Sequence, residues 1–313
     1  MRSFSLLAPA KINLYLEIIG DRPDGYHELV MILQSVNLCD RLDIHANGTD
    51  RLRLHCNNPE VPLDQSNLAY KAAKLMWQEF PQVAANLGSF DLTIHKSIPV
   101  AAGLAGGSSN AAAALVGINQ IWELGLTIPE LQVLGAKLGS DIPFSISGGT
   151  AIATGRGEQL DPIHDLDNLW IILAKHRNLS VATPWAYNTY RQQFGHEYIS
   201  TPDEVKQAIS KIHSGPLVHA ISNNNSPKIG KLLYNDLEKV VLPAYPQVAQ
   251  LRSEFQEAGV LGAVMSGSGP TVFALCESET QAIEIKEKVQ TKIGNPDLDF
   301  WVTTSCSHGI VSA

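Results

Sequence analysis

The segment Pro99–Ala114, PVAAGLAGGSSNAAAA, holds the residues best suited to chemistry in this chain. Gly103, Gly106 and Gly107 lead into Ser108 and Ser109, and an unbroken run of helix formers follows. A strand, a glycine loop and a buried helix together make an anion cradle. Glycines let backbone N–H groups approach phosphate oxygens, and the helix start adds unpaired donors and the positive end of its dipole. Serine hydroxyls can add hydrogen bonds or touch Mg2+. A surface loop ahead of a core helix fits the same composition equally well. Two familiar loops do not match: a Walker A loop needs Lys where Ser108 stands, and no GxGxxG is present. GGSSN approaches the GxSxG nucleophile elbow but ends in Asn110, so a hydrolase using Ser108 or Ser109 is a weaker alternative.

Lys11 is the next candidate. It follows Ala8-Pro9-Ala10 on an apolar strand, where burial is expected. A buried ammonium needs a carboxylate or phosphate partner. Asn13 shares its strand face. Asp141, in Gly139-Ser140-Asp141 ahead of Pro143, reads on its own as a turn or helix-cap residue. Tyr26 and His27 follow a turn signal at Asp24-Gly25, a place where binding residues gather. Gly155-Arg156-Gly157 could set a cation near phosphate, but reads first as a surface turn.

These residues need a frame. Ile12, Leu14, Leu16 and Ile18 alternate with Asn13, Tyr15 and Glu17, which predicts a strand with one apolar and one polar face. Arg41–Ala46 and Arg51–Cys56 alternate around Asn47-Gly48 and predict a hairpin. Helix spacing covers 66–80, with Pro81 as its stop. Further helices are expected over 110–124 and 129–138, with a strand through Phe90, Leu92 and Ile94 between the first helix and the glycine loop. Leu169–Ala174 reads as a buried strand, and Thr183–Gly259 as mainly helical, interrupted by the polar run 223–227. Strands return at Ala263–Cys276 and Phe300–Ser305, around a helix at Glu279–Lys292. The mixed order of strands and helices argues α+β. The expected division is 1–160 and 161–313.

Composition narrows the function classes. The chain has 313 residues, 44% hydrophobic and 17% charged, enough apolar material for a core and too much for disorder. Its net charge of -8 gives no footprint for nucleic acid or anionic membranes. The four cysteines form no CxxC pair, and the ten histidines are scattered, so no structural metal is expected. No run reaches the roughly 18 apolar residues of a membrane span. A cytoplasmic setting is expected, with a removed upstream transit peptide still open. No protein partner is predicted.

Several motifs together point further. PAKINLYL (Pro9–Leu16), GLAGGSSNAA (Gly103–Ala112) and SGSGPTVF (Ser266–Phe273) resemble the three signature motifs of the GHMP small-molecule kinases. DGYHEL (Asp24–Leu29), GSDIPF (Gly139–Phe144) and NDLE (Asn235–Glu238) are similar to the branch that acts on a cytidine diphosphate-linked methylerythritol. The resemblance spans about residues 7–273, with the six motifs in the family's order. Ala105 departs from it, standing where a further glycine is usual; alanine is tolerable there if its φ is negative.

The resemblance implies a two-lobed fold, ribosomal-protein-S5-domain-2-like at the N-terminus and ferredoxin-like at the C-terminus, with the site between the lobes. It implies ATP and Mg2+ as cofactors and phosphoryl transfer to a substrate hydroxyl. Asp141 becomes the catalytic base, with Lys11 holding it ionised. Asn67, Leu68, Lys96, Pro99, Gly103, Leu104, Ala105, Gly106, Gly107, Ser108, Ser109 and Asn110 become the ATP side. Asn13, Tyr26, His27, Thr183, Tyr187, Gly267, Ser268 and Gly269 become the acceptor side, with Tyr26 and Tyr187 facing across the cytosine. Alternatives stay open: a mevalonate, phosphomevalonate or homoserine type of kinase, the related diphosphate decarboxylase, or a catalytically silent nucleotide binder.

Overall fold

The computed structural model describes residues 3–166, 168–199 and 201–313. In chain order the first part comprises β1 (Ser3–Asp21), β2 (His27–Ala46), β3 (Arg53–Cys56), α1 (Leu68–Glu79), α2 (Pro81–Leu87), β4 (Phe90–His95), α3 (Gly106–Ile121), α4 (Ile128–Ala136), α5 (Ile142–Ser147), β5 (Thr150–Gly155) and β6 (Gln159–Pro162). The second part comprises β7 (Trp170–His176), α6 (Thr183–Phe194), α7 (Pro202–His213), α8 (Pro216–Ser222), α9 (Ser226–Lys231), β8 (Tyr234–Asn235), α10 (Glu238–Ala244), α11 (Pro246–Ala258), β9 (Gly262–Met265), β10 (Val272–Cys276), α12 (Glu279–Ile293), β11 (Leu298–Thr304) and β12 (Val311–Ser312).

Two sheets result, one per lobe. The first runs β12-β1-β2-β4-β3, with β5 added to β2, β6 to β5 and β8 to β1. The second is antiparallel in the order β11-β7-β10-β9 and carries the ferredoxin-like lobe. β8 and β12 return from the second half of the chain to the first sheet. The sheets share a core, in which Ile12, Ile32 and Ile152 meet Ile171, Leu173 and Phe273. On its other side the first sheet packs against α1 and α3 through Leu42, Ile44, Met76, Ala111, Ala114 and Leu115. The small residues of α3 permit this close approach: a Cβ on Gly117 would lie 2.3 Å from Ile44 Cδ1.

The structure departs from the sequence expectations in instructive places. The hairpin around Asn47-Gly48 does not form. β4 pairs antiparallel with β2 and parallel with β3, and so separates the two segments. Pro81 does stop the first helix, which ends at Glu79 with Phe80 as its C-cap, but it also opens α2 as that helix's first residue, where a missing N–H costs nothing. The helix predicted over 110–124 begins earlier, so Gly106, Gly107, Ser108 and Ser109 are its first turn.

β1 does not keep one polar and one apolar face. Its register on β2 shifts between Asn13 and Tyr15, a bulge that leaves Leu14 unpaired and reverses the alternation. Lys11 and Asn13 therefore share a side with Leu16 and Met31, all four lining one cavity, while Tyr15 packs elsewhere, against Tyr234. A uniform period of two cannot reveal such an inserted residue.

Candidate active site

A cavity of about 740 Å³ opens between the lobes, and each sequence-selected site residue except Ser109 lines it. Its floor is the junction of β1 with the glycine loop. The backbone N–H of Lys11 donates to Leu104 O at 3.1 Å, and Ser109 Oγ donates to Pro9 O at 2.7 Å. Ser109 is thus a brace between α3 and β1, and its hydroxyl is unavailable as a nucleophile or phosphate ligand.

The start of α3 forms one wall of the cavity. Ala105 is the N-cap and its side chain caps nothing, while the first helical bond in this turn runs from Ser109 N to Ala105 O at 2.9 Å. The N–H groups of Gly106, Gly107 and Ser108 are therefore the free donors of the helix end. Ala105 has φ +55°, so the condition under which alanine would be easily tolerated there is not met. The left-handed conformation turns the loop into the helix, and alanine bears a steric cost there of about 1–2 kcal/mol.

The loop is also locked to the second lobe. Ser266 Oγ donates to Gly103 O at 3.1 Å, and a Cβ on Gly103 would lie 2.2 Å from Ser266 O. Thr183 Oγ1 and Ser268 Oγ lie 2.8 Å apart and join α6 to the turn between β9 and β10. Asn235, from the NDLE motif, donates to Met265 O at 2.7 Å and Gly267 O at 2.8 Å. Asp236 receives Ile18 N at 2.8 Å. This motif therefore ties β1 to the Gly267–Gly269 turn.

Lys11 is buried at 6% exposure, as its surroundings required, and its Nζ donates to Asn13 Oδ1 at 2.6 Å. The expected ion pair between Lys11 and Asp141 is absent among the described contacts. Asn13, two residues on along the same face of β1, supplies its partner instead. Asp141 stands at the N-cap position of α5, yet its side chain makes no cap bond. Asp141 lines the cavity, and its carboxylate has no hydrogen-bond or ion-pair partner among the described residues. Burial, and then the nearby Asp141 charge, push the Tyr187 hydroxyl well above its ordinary pKa.

Toward the outer end, His27 is buried at 7% exposure and its Nε2 has no hydrogen-bond partner among the described residues, with Asp21 Oδ1 4.0 Å away. Burial, helped by the Arg191 cation, lowers its pKa to about 4, so the imidazole is neutral near pH 7. Tyr187 packs on it with ring centroids 5.0 Å apart. Tyr26 stands 54% exposed at the rim, under the guanidinium of Arg156.

On the opposite side Asn67 caps α1, taking Ala69 N at 2.8 Å and giving to Pro62 O at 2.8 Å, and Leu68 follows it into the cavity wall. Lys96 is paired with Asp40, a fully buried carboxylate that the sequence reading passed over. Asp40 stands in an ordinary alternating strand, and nothing local distinguishes it. Arg156 was legible as a cation between two glycines, but its place in this cavity was not.

The residues present can hold a phosphorylated nucleotide at α3, a proton acceptor at Asp141 and an aromatic or heteroaromatic group near Tyr26, His27 and Tyr187. Among the described residues no group of three His, Cys, Asp or Glu side chains is placed to hold a metal. No described helix is long and apolar enough to cross a membrane.

Comparison with known proteins places the chain in a family. Residues 67–149 match the GHMP kinases N terminal domain, and residues 217–295 match GHMP kinases C terminal. The chain is 61% identical over 310 residues to 4-diphosphocytidyl-2-C-methyl-D-erythritol kinase of Gloeothece citriformis, covering 99% of this chain and 98% of that one. It is 60% identical over 311 residues to the enzyme of the same name from Nostoc punctiforme, with 99% and 98% covered. A crystal structure of 4-(cytidine 5'-diphospho)-2C-methyl-D-erythritol kinase superposes with TM-score 0.74 at 29% identity, covering 96% of this chain and 98% of that one. Homoserine kinase from Cytophaga hutchinsonii gives TM-score 0.75 at 18% identity, with 100% and 98% covered, a likeness of fold alone.

Proposed function

The chain belongs to the GHMP kinase family, among its 4-diphosphocytidyl-2-C-methyl-D-erythritol kinases, and from that premise we propose that its cavity passes the γ-phosphoryl group of ATP to the 2-hydroxyl of 4-diphosphocytidyl-2-C-methyl-D-erythritol. The products are ADP and the 2-phosphate, on the methylerythritol phosphate route to isoprenoid precursors. One observation carries this reading. A single cavity joins the open first turn of α3, the Lys11 and Asp141 side chains, and the Tyr26, His27 and Tyr187 rings.

The chemistry follows from that order. The free amides of Gly106, Gly107 and Ser108 hold the ATP phosphates against the dipole of α3. The acceptor oxygen attacks the γ-phosphorus as the bridging oxygen to the β-phosphorus leaves with ADP. Asp141 orients the hydroxyl and takes its proton; a crowded, weakly acidic tertiary alcohol needs such a partner. Lys11, fixed by Asn13, stabilises charge building on the transferred group. At the far end neutral His27 can both give and accept a hydrogen bond on the cytosine edge, while the tyrosines supply stacking surface.

Mg2+ fits as an ion arriving on ATP, because the Ser108 hydroxyl lines the cavity without a partner among the described residues. It would neutralise charge on the β- and γ-phosphates.

The test is ADP release by the purified protein with ATP and Mg2+, offering 4-diphosphocytidyl-2-C-methyl-D-erythritol, mevalonate or homoserine as acceptor. Turnover of the cytidine compound alone is expected. Turnover of another acceptor in its place would overturn the base-pocket assignment while leaving the phosphate wall intact.

A further inference from the structure

Among the described residues the cavity wall carries three lysine or arginine side chains: Lys11, Lys96 and Arg156. Two are engaged. Lys96 is bound to Asp40, and Lys11 donates to Asn13 at 2.6 Å beside the reacting end. Arg156 is not tightly held: its nearest carboxylate, Glu158, is 3.8 Å away. Its guanidinium carbon lies 4.9 Å from the centre of the Tyr26 ring. A guanidinium laid on an aromatic face keeps its N–H fork available for a second partner.

The turn carrying Arg156 is fixed in place. Gly155 N donates to Glu28 Oε1 at 3.1 Å, and Glu28 is in turn paired with Arg22 at 2.7 Å. Arg156 N donates to Glu158 Oε2 at 2.7 Å. Gly157 has φ +106°, and a Cβ there would sit 2.7 Å from Met31 Cε and 3.8 Å from Ser140 Cβ. Met31 Sδ receives Asn13 Nδ2 at 3.4 Å, and Ser140 precedes Asp141. The turn thus bridges the two ends of the acceptor pocket, with the Tyr26 ring on one side and the Asn13 and Asp141 neighbourhood on the other.

We infer that Arg156 binds the diphosphate of the acceptor, an assignment that rests on the cytidine reading above. A nucleoside diphosphate with its base near Tyr26 and its alcohol near Asp141 must pass its two phosphates between them, where Arg156 stands. The guanidinium fork matches phosphate oxygens in pairs, which lysine cannot reproduce.

The experiment is calorimetric titration of the whole protein with cytidine and with cytidine 5'-diphosphate, for wild type, Arg156→Met and Arg156→Lys, at one fixed low salt concentration. Arg156→Met is expected to weaken the diphosphate by about 10- to 100-fold and to leave cytidine within about twofold. Arg156→Lys is expected to fall between. Equal losses for both probes would show that Arg156 acts only by holding Tyr26, and would overturn the assignment. An unchanged diphosphate affinity in Arg156→Met would overturn it too. A wild type that binds neither probe would instead sink the cytidine reading beneath it.

Discussion

Lys96 and Asp40 form a buried ion pair beside the open start of α3, where a Cβ on Gly106 would lie 3.0 Å from Lys96 Nζ. Asp40 is wholly buried and also receives Ser97 N at 2.7 Å, Ile98 N at 2.9 Å and Asn110 Nδ2 at 2.8 Å. One carboxylate therefore fixes the end of β4, the chain leading to the glycine loop, and the first turns of α3. Asp40→Asn keeps the shape but leaves an ammonium buried without its counter-charge, which costs about 3–5 kcal/mol. The expected result is that loss in urea unfolding, with a raised KM for ATP and a smaller change in kcat. Adding Lys96→Met should restore part of the stability, because the unpaired charge is then gone. An additive double variant would show that the two side chains are not coupled.

Asp141 offers a cleaner division between chemistry and structure. Its carboxylate caps nothing, so Asp141→Asn removes a proton acceptor without breaking a structural bond. A fall in kcat of about 10²- to 10⁴-fold is expected, with the melting temperature and cytidine affinity near wild type. Near-normal turnover in a steady-state assay would remove Asp141 from the base role. Lys11→Met differs because it also leaves Asn13 Oδ1 unpaired. It should cost about 1–3 kcal/mol of stability as well as turnover.

The contrast between these residues shows what the sequence could carry. Glycine, serine and a helix-forming run announced the open helix start that lines the cavity, because backbone access is a local property that residue type records. Lys11 was legible for a related reason: an ammonium embedded among apolar neighbours needs a partner. Which partner it has was not legible. Asn13, already on its strand face, takes the place expected of Asp141, because which group reaches Lys11 from another element depends on tertiary placement. The bulge at Leu14, which brings Leu16 onto that side, was hidden as well. Asp40 and the pairing of β3 with β4 were hidden because both depend on strand order, which no local pattern encodes.

Ala105 tests a local cost. It adopts φ +55° and ψ +24° at the N-cap of α3, a conformation that suits glycine. Ala105→Gly relieves about 1–2 kcal/mol of steric cost and gives back roughly half of that as extra freedom of the unfolded chain. A net gain of about 0.5–1 kcal/mol is expected in thermal or urea unfolding. Ala105→Val should be destabilised, since a β-branched residue tolerates this region worse. A loss of stability in Ala105→Gly would mean that the loop is not held left-handed in solution.

His27 gives a pH signature with a definite sign. Its pKa falls from an ordinary 6.5 to about 4 in the folded chain, chiefly through burial. Between those values the unfolded chain binds a proton that the folded chain refuses. Stability should therefore rise with pH from about 4 to 6.5 and level off above, the His27 share having a slope of at most about 1.4 kcal/mol per pH unit. His176, also lowered by burial, adds the same sign, so His27→Gln should shallow the slope without abolishing it. Urea unfolding of both proteins across that range measures the difference. The same neutral imidazole implies that cytidine affinity is flat from about pH 8 down to about 5. An affinity that instead titrates near 6.5 would show that the imidazole charges freely in the folded chain, and with it that His27 is not the buried neutral partner of the base.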